Sequence, residues 1–246
     1  MQLNQVTRKM DQLNQPTVAT AKKTGFVHDL FFGKFNEHSV LPFYDPTESE
    51  RDEGDATVAT VNDFCRQYIF PDRIDAESLL APDVIKGLGD LSLFGMTLDQ
   101  SYGGAGVSHF NFCRVMEAIG GHCSSTAAAV NQAHTAIGAL AAFGSDEQKE
   151  TWLPKLMAGE ISASLAVTET LGGVSTDRLR TTAKAKEGGF VLEGEKRWVS
   201  NAPIADLIIV LAATPDSDAA DDATTAFLVT PDERPDGRRL ARRKTR

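Results

Sequence analysis

Apolar residues along this 246-residue chain recur with a helical period as far as Gly159 and with a period of two beyond Glu160. Phe26, Val27, Leu30, Phe31 and Phe35 carry helical spacing, which predicts a helical extension over 25–44 that exits through Leu41-Pro42-Phe43. Asp45-Pro46-Thr47-Glu48 reads as a helix start, with proline and acids in the first turn. Val58, Val61, Phe64, Cys65 and Tyr68 continue it as an amphipathic stripe. A further helix is predicted over Pro82–Leu91, and Ser101–Gly106 is a glycine-rich loop. Phe110, Cys113, Arg114, Glu117 and Ile119 fit a helix ended by Gly120-Gly121. Ser124–Phe143 reads as an alanine-rich helix closed by Gly144. Ser145-Asp146-Glu147-Gln148 has the form of a capping box, and Pro154 bends or ends the helix it opens.

Past Glu160, strands are predicted at Ile161–Thr168, Leu179–Ala185, Phe190–Leu192, Arg197–Ser200, Leu207–Ala212 and Thr225–Val229, with Glu187-Gly188-Gly189 as a hairpin turn. The fold class is therefore α+β. An α-helical domain over 45–160 precedes a partial antiparallel β-barrel over 161–230. Residues 1–24, rich in Gln, Asn, Thr and Lys, are expected to lack fixed structure.

Composition narrows the picture. The formal net charge of −9 and pI of about 5.1 argue against nucleic-acid binding, which needs a basic surface. Residues 234–246 hold seven Lys/Arg against one Asp, so the remainder carries −9 − 6 = −15. This basic tail over 231–246 reads as an unstructured end, an out-of-frame or truncated end, or a nucleic-acid or membrane patch. Cys65, Cys113 and Cys123 form no CxxC pair, and three thiols make no even disulfide set, so a reducing compartment is expected. Without an apolar signal core at the N-terminus or an apolar run long enough to span a bilayer, the expected location is the cytoplasm. No metal-ligand spacing, Ser-His-Asp arrangement or P-loop is present.

The segment from Leu165 to Asn201 carries the chemistry. Leu165 to Thr168 is a strand that opens at Glu169 into the glycine-rich loop Thr170-Leu171-Gly172-Gly173-Val174, which brings backbone N–H groups close to a bulky anionic ligand. Trp198 and Ser200 stand two residues apart, on one face of a second predicted strand. Backbone donors, the hydroxyls of Thr168 and Ser200 and an aromatic wall suit a flat heteroaromatic cofactor such as a flavin. His134, on an alanine-rich helix, reads as a packed, hydrogen-bonded histidine.

Around these residues the chain resembles the acyl-CoA dehydrogenase family, whose signature runs approximately Leu-Thr-Glu-Pro-x-x-Gly-Ser-Asp and then Trp-Ile-(Thr/Ser)-Asn. Supporting blocks are Leu93-Phe94-Gly95-Met96, Ser101–Gly106, Ala142–Lys149 and Leu153–Glu160, in family order. The flank Gly25–Phe43 and the block Ala133–Gly138 resemble the very-long-chain branch. The resemblance implies FAD as cofactor, with Leu165, Val167, Thr168, Gly173, Val174, Trp198, Val199 and Ser200 binding it and Val174 and Ser175 meeting substrate. It implies α,β-desaturation of a long-chain acyl-CoA in fatty-acid β-oxidation, with electrons passing to an electron-transfer flavoprotein and a homo-oligomeric full-length protein. Two positions depart from the signature: Thr170 replaces Pro, and Val174-Ser175 replaces Ser-Asp, so the hydroxyl normally donated at 174 is missing. The family's catalytic Glu lies in a C-terminal helical bundle to which no Glu here aligns. The isolated chain is therefore expected to be inactive; the alternative is a non-catalytic remnant or interaction module of the same fold.

Overall fold

The structure is a computed structural model and describes residues 26–35, 37–39, 41–176, 179–214 and 223–231. The expectations for residues 1–24 and for the basic end from 234 onward lie outside the described residues. Helix α1 (Phe26–Phe31) is short, so the predicted helical extension is helical only there and in a 3-10 turn at Glu37–Ser39. Phe35 lies beyond the helix, and its ring meets Phe26 edge-on at 5.8 Å.

Helix α2 (Glu48–Tyr68) starts at Thr47, whose hydroxyl accepts from Glu50 N. Prolines at the first turn open α3 (Pro71–Glu77) and α4 (Pro82–Asp90), where the missing N–H costs nothing. Helix α5 (His109–His122) is capped by Ser108 and runs through Gly120-Gly121, one residue short of Cys123. Its buried positions Asn111, Val115 and Ile119 lie four apart and face α2. Helix α6 (Ser124–Phe143) ends at Gly144. Helix α7 (Asp146–Met157) opens with both hydrogen bonds of the Ser145–Gln148 capping box, and it accommodates Pro154 three residues before its end.

Five strands follow: β1 (Ala163–Ala166), β2 (Thr182–Lys186), β3 (Gly189–Glu193), β4 (Leu207–Thr214) and β5 (Ala223–Val229). They form one mixed sheet rather than the antiparallel arrangement that alternation predicted. Strand β1 runs parallel to the first half of β4, Ala163 to Ala166 facing Leu207 to Val210. Strand β2 joins the same edge at Thr182–Ala213, also parallel, and forms an antiparallel hairpin with β3 across Gly188 (φ 82°). Strand β5 covers the other edge of β4 antiparallel, from Ile208–Val229 to Thr214–Ala223. The last strand is thus paired along one edge. No barrel closure is present among the described residues.

The physical reason for the parallel pairing is that β4 reads Leu207-Ile-Ile-Val-Leu-Ala-Ala-Thr214, with every residue but Val210 buried. Such a strand is covered on both faces, and the long connection from Ala166 to Leu207 lets β1 and β4 run the same way. Leu207 and Ile209 on one face join Ala163 and Leu165 against the core of Leu88, Leu93, Val115, Ile119, Val130, Ile137, Leu153 and Leu156. Ile208 on the other face joins Ala166, Ala205 and Val199 in a smaller cluster. Helix α6 lies against β1, so one continuous core ties the helices to the sheet.

Two helical glycines test the packing with opposite signs. A methyl at Gly54 falls well inside contact distance of Asn111 and Arg114, and Asn111 is itself buried and bonded to Glu50 O. A methyl at Gly138 in α6 meets nothing within 4 Å. Gly54→Ala should therefore cost about 1–3 kcal/mol despite its better helix propensity. Gly138→Ala should gain about 0.5–1 kcal/mol. Urea melts of the two variants check both signs.

Candidate functional site

Strands β1 and β2 take turns along one edge of β4, and the site lies at the break between them. The chain leaves β1 through Val167-Thr168 and closes a small loop in which Glu169 N donates to Gly173 O and Gly173 N to Glu169 O, at 2.9 and 3.1 Å. Gly173 has φ 59°, which glycine adopts without penalty. Glu169 turns inward and is 5% exposed. Its carboxylate accepts from Arg180 N at 2.6 Å, Thr181 N at 2.9 Å and Lys196 Nζ at 2.8 Å. Lys196 Nζ also donates to Val167 O at 3.0 Å.

The segment 196–201 crosses this junction. Arg197 N donates to Thr168 O at 2.8 Å, Ser164 Oγ donates to Ser200 O, and Asn201 Nδ2 donates to Ala129 O of α6 at 3.1 Å. It is not the strand that the sequence predicted, because Trp198 and Asn201 have φ values of 58° and 62°. Left-handed backbone costs a side-chain-bearing residue about 1–2 kcal/mol, and the flanking hydrogen bonds hold it in place. As a result Trp198 is 76% exposed at the sheet end, with the Arg197 guanidinium over its ring at 5.4 Å from the centroid.

The predicted residues divide by what they present. Leu165 packs into the helical core and Val199 into the small cluster beneath the segment, so neither offers its side chain to a ligand. The carbonyls of Val167 and Thr168 are spent on Lys196 and Arg197. Trp198 and Ser200 are exposed two positions apart, and half-buried Thr168 is tied to their segment through its carbonyl. No hydrogen bond among the described residues occupies the Thr168 or Ser200 hydroxyl. Gly173 and Val174 lie on the loop rim, Val174 being 74% exposed, and Ser175 is half-buried beside it with its amide donating to Gly172 O. His134 is remote from these residues in role: Nε2 pairs with Thr97 Oγ1 at 3.0 Å and Nδ1 with Phe94 O at 3.1 Å, and its ring packs on Phe112. Burial lowers its pKa, as a packed histidine requires.

Residues 51–160 match the acyl-CoA dehydrogenase N-terminal domain and residues 164–246 the acyl-CoA dehydrogenase middle domain. The chain belongs to the acyl-CoA dehydrogenase family. It is 31% identical over 228 residues to the very long-chain specific acyl-CoA dehydrogenase, mitochondrial, of Macaca fascicularis, covering 89% of this chain and 35% of that protein. It is 33% identical over 202 residues to the mitochondrial isovaleryl-CoA dehydrogenase of Solanum tuberosum, covering 80% of this chain and 47% of that one. Among solved structures, a glutaryl-CoA dehydrogenase from Mycobacterium smegmatis in complex with FADH2 superposes with a TM-score of 0.66 at 28% identity, over 76% of this chain and 46% of that one. The chain thus spans between a third and a half of these relatives.

The sequence did not single out Lys196, and it gave no sign that Lys196 would pair with Glu169 across 27 positions. Their side chains are 9% and 3% exposed, whereas every other ion pair among the described residues keeps at least one partner far more open to water. Burial pushes the Glu169 carboxyl up, but the Lys196 ammonium, Thr181 and the Arg180 amide outweigh it and hold the group at about 2. A carboxyl depressed on folding contributes its stability above the unfolded pKa and loses it as pH falls through the folded one. The melting-temperature gap between the native chain and Glu169→Gln should therefore be full at pH 6–7 and narrow between about pH 4.5 and about pH 2. Thermal melts of both proteins across that range measure it.

Proposed function

We propose that this chain supplies the flavin-facing wall of an acyl-CoA dehydrogenase acting on long-chain acyl-CoA, with FAD as cofactor and an electron-transfer flavoprotein as electron acceptor. The observation that carries the reading is the exposed indole of Trp198 beside the unengaged hydroxyls of Thr168 and Ser200, at a loop whose rim is glycine backbone. This donor set fits an isoalloxazine ring: hydroxyls hydrogen-bond its polar edge and an indole packs on its face. Bound flavin supplies the hydride acceptor for α,β-dehydrogenation.

The chain's own residues bind and orient. Trp198 is held at the end of β1 by its neighbours' hydrogen bonds, and Val199 anchors the segment from below. Val174 gives the loop rim an apolar side chain where the signature has a hydroxyl, so Ser175 is the nearest hydroxyl for the cofactor's or substrate's polar arm. Glu169 is no proton acceptor, because its oxygens already receive three donors and its pKa is held at about 2. A general base instead needs free reach to the proton and a pKa nearer the working pH.

This last point also supports a second reading, a non-catalytic module that keeps the fold and the flavin wall. Two measurements test the pair. FAD titrated into the chain should quench tryptophan fluorescence, and Trp198→Ala should weaken binding by up to about tenfold, the worth of one aromatic stacking contact. Palmitoyl-CoA with added FAD should give no reduction of an artificial electron acceptor above the protein-free control. Turnover that disappears in a Trp198→Ala, Ser200→Ala double variant would show that this chain carries a working base.

A further inference from the structure

The buried ion pair at the strand break does more than accept the amides that the gap in the ladder leaves. Burying two opposite charges gains little over an apolar pair of the same size, because the desolvation of each ion offsets their attraction. Yet Glu169 and Lys196 are among the least exposed charged side chains described, and each bonds to more than one partner. Together they connect three stretches that the sheet does not join there: the end of β1 at Val167–Glu169, the entry to β2 at Arg180–Thr181, and the head of the 196–201 segment. The next residue, Arg197, bonds to Thr168 O, and Trp198 follows in a left-handed conformation. Trp198 therefore lies two residues from an ionic anchor.

We propose that the Glu169–Lys196 pair is a positioning element for Trp198 and the Thr168 and Ser200 hydroxyls, fixing these groups as one preformed face. The proposal deepens the flavin reading, and only its second readout below rests on that reading. An ammonium does what a methyl cannot here, and it brings to the carboxylate a charge that an amide lacks. It donates to the Val167 carbonyl and the Glu169 carboxylate at once, so one side chain locks the last residue before Thr168 to the loop after it. The carboxylate in turn takes the Arg180 and Thr181 amides that no neighbouring strand reaches. Removing either charge frees the segment to relax out of its left-handed turn while the helical core, built elsewhere, stays packed.

The test uses Trp152→Phe as background, which leaves Trp198 the sole tryptophan of the two. Glu169→Gln, Lys196→Met, the neutral double variant and Lys196→Arg are compared well below their melting temperatures. Without flavin, the two charge-removing variants and the double variant should lose the near-UV dichroism of Trp198 and show lower fluorescence anisotropy. Far-UV dichroism should keep its helical signal, and Lys196→Arg should keep the parent's indole signals. With FAD, the same three variants should bind at least tenfold more weakly than the parent, and Lys196→Arg within a few-fold. If a single variant fails to fold, the double variant, which leaves no lone buried charge, decides. An indole signal unchanged in the folded charge-free variants would overturn the proposal. A parent that binds no FAD would instead sink the flavin reading, while the indole signals still judge the anchor.

Discussion

Strand β4 is apolar along its length and buried on both faces, and that burial organises the rest of the molecule. A strand withdrawn from water needs a partner for every N–H and C=O on both edges and a cover on each side. Helix α6 and the core behind it supply one cover through Leu207 and Ile209, and the 196–201 segment supplies part of the other through Val199. Strand β5 satisfies one edge throughout, and the other edge is shared in sequence by β1 and β2. The handover between those two strands is the place where backbone pairing fails, and the candidate site occupies it.

A gap in a ladder leaves amides that require another acceptor, and here the acceptor is a side chain. Glu169 takes the amides of Arg180 and Thr181, which makes a buried carboxylate necessary, and Lys196 makes that carboxylate tolerable. The same lysine ties the crossing segment to β1, so the repair of a backbone defect also presents Trp198 to solvent. Structure and candidate function share one set of hydrogen bonds.

Helices were the legible part of the sequence. Thr47, Ser145 with Gln148, Gly144 and Pro82 mark termini through local hydrogen bonding and fixed φ, which depend on few neighbours, whereas the short helix opened by Pro71 was not predicted. Five of the six predicted strands and the β2–β3 hairpin were legible too, but the parallel pairing on β4 was not. Pairing partners lie far apart in the chain, and β1 meets β4 across the whole Ala166–Leu207 connection. The unbroken run Leu207–Ala213 was the available sign of a doubly covered, parallel-paired strand. Trp198 and Ser200 were found by residue type and placed on a strand. The left-handed backbone at Trp198 and Asn201 is imposed by tertiary hydrogen bonds to Thr168 and Ala129 and leaves no mark in composition. Lys196 carried no signal because its partners, Glu169 and the Val167 carbonyl, lie 27 and 29 positions away.

The central claim is that the groups gathered at this break face a flavin. The most direct measurement is the indole N–H resonances of the two tryptophans in 1H–15N spectra as FAD is added. Trp198 and Trp152 lie on different elements, one exposed at the sheet end and the other packed against the helical core. The account predicts that the Trp198 resonance moves progressively, in step with the amides of Gly173 and Ser200, while Trp152 stays in place. A stationary Trp198 at saturating FAD, or a shift confined to Trp152, would contradict it.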